Sequence, residues 1–360
     1  MGVYQQRFNA AGVAVGGESQ VNTFTANNQG NSRVVGLTGG GWLVTWTSDG
    51  QDGSGWGVYQ QRYDANGTKV GAEVRVNAET LNAQGRSDVV GLAGGGWVVI
   101  FEDNSSGIYV PKFQVYDANG VTLGSNIVVT NNNVGQPTIA YLTDGGWVIA
   151  WGGGGLGDDS GIFMQAYNAD GSKKGVETRS NTYTTGVQSN ADITGLADGG
   201  WLVSWGSETQ DGSGVGIYQQ RYDVNGLAQG PENRVNTVTA GDQQLAAVTA
   251  LKGGGWVVAW QSNNQLSGTS GNDIYQQRYD AVGNKQGVEQ LVNESFTVGE
   301  QTLPNITATA DGGWTISWVS AGQDGSGLGV YQRHYLPSED VKPSLPLLLR
   351  VARLKQWLQR

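Results

Sequence analysis

The chain contains no cysteine and a single histidine, His334, in 360 residues. The first absence excludes a disulfide framework and any thiolate-held metal. The second excludes every site that needs two imidazoles. Proline numbers only 7, and no Gly-X-Y period runs through the chain, so collagen and proline-rich linkers fall away. Charged residues make up 14% of the chain and its net charge is −10, which leaves no extended basic surface for nucleic acid. No apolar run approaches the ~18 residues that a membrane helix needs. The opening Met1-Gly-Val-Tyr-Gln-Gln-Arg7 lacks the apolar stretch of a signal peptide. There is no His-Glu-x-x-His, phosphate loop or dinucleotide fingerprint.

What the chain has is glycine (59), tryptophan (13) and tyrosine (14), arranged in a repeat. Gly-Gly-Trp recurs with its Trp at 42, 97, 147, 201, 256 and 314, and a second aromatic follows four residues later at Trp46, Phe101, Trp151, Trp205, Trp260 and Trp318. A second motif, Tyr-Gln-Gln-Arg-Tyr/Phe, starts at Tyr4, Tyr59, Tyr218 and Tyr275 and is shortened at Tyr331. Each unit of ~54 residues divides into four short strands, A to D. A tight Gly-Gly turn joins A to B, an Asp/Gly/Ser loop joins B to C, and an Asn-Gly or Asp-Gly turn joins C to D. In Trp42-Leu-Val-Thr-Trp46 both faces carry large or β-branched side chains, which suits a sheet covered on both sides. Together these features predict an all-β fold, a β-propeller of four-stranded blades. Six blades are expected, with seven and one incomplete blade as the alternative; an open β-solenoid or a pair of sandwiches is the runner-up fold. The propeller is assigned to residues 1–336. Its spare N-terminal C–D pair is expected to close the ring, residues 14–21 pairing with the strand around 330–335 and one C strand remaining unplaced. Residues 337–360 change character. After Pro337, Pro343 and Pro346 comes a run of helix formers with five basic and two acidic residues from Glu339 on, a basic amphipathic tail expected to be helical and suited to a partner or membrane surface, or to lying on the acidic body.

Three constellations carry candidate chemistry. The B–C loops repeat Asp49-Gly-Gln-Asp-Gly-Ser-Gly55, with kindred runs at 158–161, 210–214 and 323–327 and a looser one, Glu102-Asp-Asn-Ser-Ser-Gly107. Asp49, Asp52, Asp158, Asp159, Asp211 and Asp324 would supply oxygen ligands to a hard cation such as Ca2+, or the loops are repeated turns in which Asp and Ser cap their own backbone. Placed on one face, these aspartates would attract divalent cations or basic partners. The Arg of strand C and the Glu of strand D, always 11 apart as in Arg62/Glu73, Arg221/Glu232 and Arg278/Glu289, are expected to form cross-strand ion pairs. The Trp series belongs to the core, while Trp56, just after an acidic loop, is the candidate exposed aromatic for a ligand. No unique acidic pair interrupts the repeat, and one histidine leaves little for nucleophilic catalysis, so the chain is expected not to be an enzyme.

Asp144-Gly-Gly-Trp-Val-Ile-Ala-Trp151, Gly50-Gln-Asp-Gly-Ser-Gly55 and Val58-Tyr-Gln-Gln-Arg-Tyr-Asp-Ala-Asn-Gly67 resemble a tandem repeat of very large secreted bacterial proteins of the RTX-like, adhesin type. The resemblance covers residues 1–336 and implies an extracellular or cell-surface module. The calcium-holding nonapeptide of RTX rolls is not repeated here; Gly271-Asn-Asp-Ile-Tyr is a fragment of it, so those calcium sites do not carry over. The expected function is a non-enzymatic binding or adhesion module for a glycan or protein on a surface. A lectin-like sugar binder comes second and a glycan-cleaving propeller third.

Overall fold

Each Gly-Gly-Trp turn has a steric cause. A Cβ on the glycine that precedes the Trp would lie 2.0–2.3 Å from the backbone oxygen of the last Tyr of strand C, as Gly96 does against Tyr116 O and Gly313 against Tyr335 O. Only glycine lets the A–B turn close against the end of strand C. The Trp then enters strand B already stacked on that Tyr, as in Trp42–Tyr63, Trp97–Tyr116 and Trp314–Tyr335, whose ring centroids are 5.2 Å apart.

The computed structural model describes residues 2–9, 12–156, 158–263, 265–266, 271–337 and 351–354, the side chains of 158, 159 and 351–354 excepted. The described residues contain strands and turns and no helix. An N-terminal hairpin pairs β1 (Tyr4–Phe8) with β2 (Ala14–Gln20). Blade 1 follows with β3 (Gln29–Gly36), β4 (Trp42–Asp49), β5 (Trp56–Tyr63) and β6 (Lys69–Arg75). Blade 2 has β7 (Gln84–Gly91), β8 (Trp97–Asp103), β9 (Val110–Tyr116) and β10 (Thr122–Val128), and blade 3 has β11 (Val134–Tyr141), β12 (Trp147–Gly155), β13 (Asp158–Tyr167) and β14 (Lys173–Arg179). Blade 4 comprises β15 (Gln188–Gly195), β16 (Trp201–Glu208), β17 (Val215–Tyr222) and β18 (Asn233–Arg234); blade 5 comprises β19 (Gln243–Ala250), β20 (Trp256–Asn263), β21 (Asn272–Tyr279) and β22 (Lys285–Leu291). Blade 6 comprises β23 (Gln301–Ala308), β24 (Trp314–Ala321), β25 (Leu328–Tyr335) and β26 (Val351–Leu354). Each blade is an antiparallel meander, and the architecture is the expected six-bladed β-propeller.

Two compact units divide the chain, Met1–Arg7 with Gly16–Ser180 and Phe8–Val15 with Asn181–Arg360. In the first, β3 lies beside β7 and β7 beside β11; in the second, β15 lies beside β19 and β19 beside β23. The A strands are therefore the inner strands. Neighbouring blades are joined through strand B: the indole Nε1 of Trp97 donates to Gln60 Oε1 at 2.9 Å and that of Trp256 to Gln219 Oε1 at 3.0 Å. The N-terminal hairpin makes the same contact with blade 1, Trp42 Nε1 donating to Gln5 Oε1 at 2.9 Å.

That docking corrects one expectation. Strand β2 pairs with β1 rather than with residues 330–335, and the outer neighbour of β25 is β26. The hairpin stays intact because its C strand carries the glutamine that strand B of blade 1 needs. A second correction concerns the tail: Val351–Leu354 is a strand where a helix was expected, and the rest of 338–360 lies outside the described residues. A third concerns the Arg/Glu series. In blade 1 the register runs Gln60↔Val74 and then Arg62↔Val70. Three residues thus bulge opposite Gln61, and the bulge parts Glu73 from Arg62. Arg62 instead lies over the Trp97 ring at 5.7 Å and donates to Ala118 O at 2.7 Å. Glu73 accepts from Thr23 N at 2.7 Å and Gln51 Nε2 at 2.5 Å, and Glu232 accepts likewise from Thr182 N and Gln210 Nε2. Arg221 pairs with Asp198.

Candidate active site

The six inner strands share one irregularity. Between their second and fifth residues each slips register against strand B. The third residue takes a left-handed backbone: Asn31 (φ 49°), Arg86 (44°), Gln136 (55°), Asn190 (54°), Leu245 (52°) and Leu303 (55°). Such a bulge re-aims side chains at the inner strand and holds non-glycine residues in a conformation that costs of order 1–3 kcal/mol each. It leaves a backbone N–H that wants an acceptor. In blade 6 the acceptor is neutral, Leu303 N donating to Gln261 Oε1 of blade 5 at 3.3 Å. In blade 3 it is charged: Gln136 N donates to Glu102 Oε1 of blade 2.

Glu102 departs from the repeat. The same position of strand B holds Thr47, Gly152, Gly206, Gln261 and Val319 elsewhere. The Glu102 side chain is 6% exposed and Arg86 Nη1 stands 3.7 Å from its Oε1. Burial pushes its carboxyl above the ordinary carboxylate range, more than the Gln136 hydrogen bond and the Arg86 charge pull it down. On the neighbouring inner strand, Asp88 Oδ2 accepts from Thr138 Oγ1 at 3.0 Å and Ile139 N at 3.1 Å, and Asp88 Oδ1 lies 3.8 Å from Arg33 Nε. Asp88 is thus tethered to blade 3, with Arg33 of blade 1 beyond hydrogen-bond reach of its other oxygen. The equivalent positions are Arg33, Thr138, Asp192, Ala247 and Asn305.

Blade 2 diverges further at the residue after Glu102. Asp103, fully buried, pairs with Lys112 Nζ at 3.0 Å. The other blades place Ser48, Gly153, Ser207, Ser262 and Ser320 at the first position, and Tyr59, Phe163, Tyr218, Tyr275 and Tyr331 at the second. A buried ion pair seldom repays its desolvation in stability. Its occurrence next to Glu102, at two positions where no other blade has a charge, marks this blade as specialised.

Three of the loop aspartates cap their own turns. Asp52, Asp211 and Asp324 each accept the N–H of the serine two residues on, at 3.2, 3.2 and 3.1 Å. In each blade the B–C loop does meet the crossover that precedes strand A, as Asp49 N meets Asn28 O and Asn263 N meets Asp242 O, at 2.9 and 2.8 Å. Asp49 and Asp52 share one loop; Asp211 and Asp324 occupy the corresponding loops of blades 4 and 6. Asp158 and Asp159 open β13, with side chains outside those described. Among the described residues no three acidic or histidine side chains group to hold a metal. Trp56 begins β5 opposite Asp49, partly exposed. The core assignment of the Trp series holds, with Trp46, Trp97, Trp147, Trp151, Trp205, Trp256 and Trp260 fully buried.

One further group has the order of a nucleophile–base–acid triad. His334 Nδ1 lies 3.1 Å from Thr315 Oγ1 and His334 Nε2 lies 2.9 Å from Asp311 Oδ2. Thr309, Gly313 and then His334 hold the Asp311 carboxyl down at about 2. Blade 4 makes the same tie between strand C and the A–B turn with Arg221 and Asp198, so the His–Asp contact is a variant of a structural pair.

Sequence reasoning passed over Glu102 by taking it as the start of a B–C loop. The signal was present in the aligned strands: Trp97-Val-Val-Ile-Phe-Glu-Asp103 is the one strand B with carboxylates at its last two positions.

No family model and no curated protein matches the chain. Solved structures do. The α-L-arabinanase of Penicillium chrysogenum aligns at TM-score 0.55 with 16% identity, over 84% of this chain and 92% of that one. An α-L-arabinofuranosidase of Fusarium graminearum aligns at 0.53 with 13% identity, over 86% and 93%. The NanB sialidase of Streptococcus pneumoniae aligns at 0.56 with 9% identity, over 81% and 65%. At these identities the likeness is one of fold. It nonetheless overturns the expectation that the chain is not an enzyme, since this architecture is shared with glycan-cleaving enzymes. The reason given for that expectation, the lack of a unique acidic pair breaking the repeat, is weakened at Glu102, which no other blade matches; Asp88 has a counterpart in Asp192, which accepts from Val248 N as Asp88 does from Ile139 N.

Proposed function

We propose that the chain cleaves glycosidic bonds at the inner strands of blades 1–3. The observation that carries this reading is Glu102, a nearly buried carboxyl with a raised pKa at a position where the other blades have no acid, one strand from a tethered second carboxylate. Glycoside hydrolysis asks for two carboxyl groups with divergent environments. Glu102 serves as the acid: it donates its proton to the glycosidic oxygen as the bond to the anomeric carbon breaks. Asp88 offers its carboxylate to the positive charge that develops on the sugar ring, and water completes the hydrolysis. Gln261 shows that a neutral amide suffices to cap the neighbouring bulge, so the cap alone does not call for an ionisable group at Glu102.

The test is release of reducing ends from a panel of plant, bacterial and animal glycans. Wild type is expected to cleave at least one, and Glu102→Gln and Asp88→Asn to lose the activity while keeping the melting transition. Turnover that survives in both variants would reject the assignment.

A further inference from the structure

Two guanidinium groups stand at the proposed site, and neither is hydrogen-bonded to the carboxylate beside it; Arg33 Nη1 donates to its neighbour Ser32 O at 3.3 Å. Arg33 Nε is 3.8 Å from Asp88 and Arg86 Nη1 is 3.7 Å from Glu102. Both distances exceed a hydrogen bond, and neither is the two-pronged fork that an arginine makes with a carboxylate it is built to hold. Their side chains are 51% and 55% exposed. Two other arginines of this unit are spent otherwise, Arg62 over Trp97 with a 2.7 Å bond to Ala118 O and Arg7 over Trp42 with bonds to Asn66 O and Ala65 O. Among the inner-strand positions at the bulge and two residues beyond it, Arg86 and Arg33 are the basic ones; the others are Asn31, Asp88, Gln136, Thr138, Asn190, Asp192, Leu245, Ala247, Leu303 and Asn305. In a chain of net charge −10, both cations of this kind fall on adjacent strands beside the acidic pair. Arg86 moreover sits at the left-handed position, φ 44°, which fixes its backbone and aims the side chain from a rigid strand.

Resting on the glycan-cleaving reading, we propose that the substrate is an acidic glycan, whose sugar carboxylate is gripped by Arg33 and Arg86 while Glu102 and Asp88 act on the adjoining bond. Guanidinium forks match a carboxylate in both charge and shape. Engagement by the sugar would also draw the arginines away from the two catalytic carboxyls, and loss of the Arg86 charge beside Glu102 favours its protonated, acid-competent form.

The experiment measures binding and cleavage separately. Glu102→Gln protein is titrated by calorimetry with oligomers of galacturonic, mannuronic and guluronic acid, a glucuronate-containing oligosaccharide and sialyllactose. Each is paired with its counterpart in which the carboxyl is reduced to an alcohol. At least one acidic member is expected to bind ten-fold or more tighter than its reduced partner. That ratio is expected to fall at least ten-fold in Arg33→Gln/Glu102→Gln and Arg86→Gln/Glu102→Gln proteins, and a double exchange with Lys should restore part of it. Acidic members binding no better than their reduced forms, or an acid preference untouched by either arginine, overturns the proposal. Cleavage assays on the same pairs address the other reading: acid-selective binding without turnover leaves the arginine site standing and removes the hydrolase, whereas turnover of reduced and acidic members alike does the reverse.

Discussion

Glu102 contributes to stability and to chemistry with opposite signs. Because its folded pKa is raised, the folded state prefers the protonated carboxyl. That contribution is complete below the ordinary carboxylate pKa and is lost as pH rises through the folded value. Above the folded value the ionised group is therefore a burden on the fold. Glu102→Gln keeps an acceptor for Gln136 N and removes the charge, so its melting temperature at pH 7 is expected to equal or exceed that of the wild type, while activity falls about 10²–10⁴-fold, the usual worth of a general acid. A clear fall in melting temperature would show that the carboxylate serves the fold. A pH prediction follows from the same group. As proton donor Glu102 gives an alkaline limb to the rate profile, and since Arg86 holds the pKa down, Arg86→Gln should move that limb to higher pH. A limb that stays in place under this substitution would assign it to another group.

At the scale of the strand, the repeat was legible because sterics write it in residue types. Gly-Gly-Trp marks the A–B turn: Gly96→Ala would press a Cβ to within 2.2 Å of Tyr116 O, whereas Gly94→Ala in the same turn meets nothing within 4 Å. Circular dichroism melts should show the first costing about 3 kcal/mol or more, the range of a clash that backbone must absorb, and the second within about 0.5 kcal/mol of wild type. Equal effects would mean that the turn relaxes freely. The irregularities were missed for two different reasons. The bulge at Arg86 involves residues of many types, Asn, Arg, Gln and Leu, so the sequence does not announce it; the bulge opposite Gln61 carries a left-handed glycine, Gly71, matched by Gly124, Gly175, Gly230 and Gly287, a signal the residue count overlooked. A cross-strand count of 11 residues assumed an unbroken register and paired Arg62 with Glu73, which the bulge sends to Thr23 N. The acidic pair was lost in the same way. Glu102 pairs with Gly85 and Asp88 with Ile100 on either side of an inner-strand slip, and without that slip Glu102 passes for the first residue of a loop.

For the whole molecule, the relevant quantity is the contrast between an acidic chain and a basic spot. Net charge −10 raises a long-range barrier to an incoming polyanion, whereas Arg33 and Arg86 act at contact distance. Salt separates the two ranges. Between about 0.01 and 0.15 M the screening length shrinks from about 30 to about 8 Å, which weakens repulsion by distant aspartates more than it weakens a partly enclosed ion pair. For an acidic glycan, kcat/KM is therefore expected to rise several-fold over this interval, through faster association, and to fall again near 1 M as the arginine contacts are themselves screened. The carboxyl-reduced partner, which feels neither force, should show a flat profile. Stopped-flow association with a fluorescent oligouronate, run beside steady-state turnover, distinguishes a change in encounter from one in chemistry. A rate that declines steadily from the lowest salt would mean that the field at the site is already positive at long range and that the acidic residues of the chain are placed away from it.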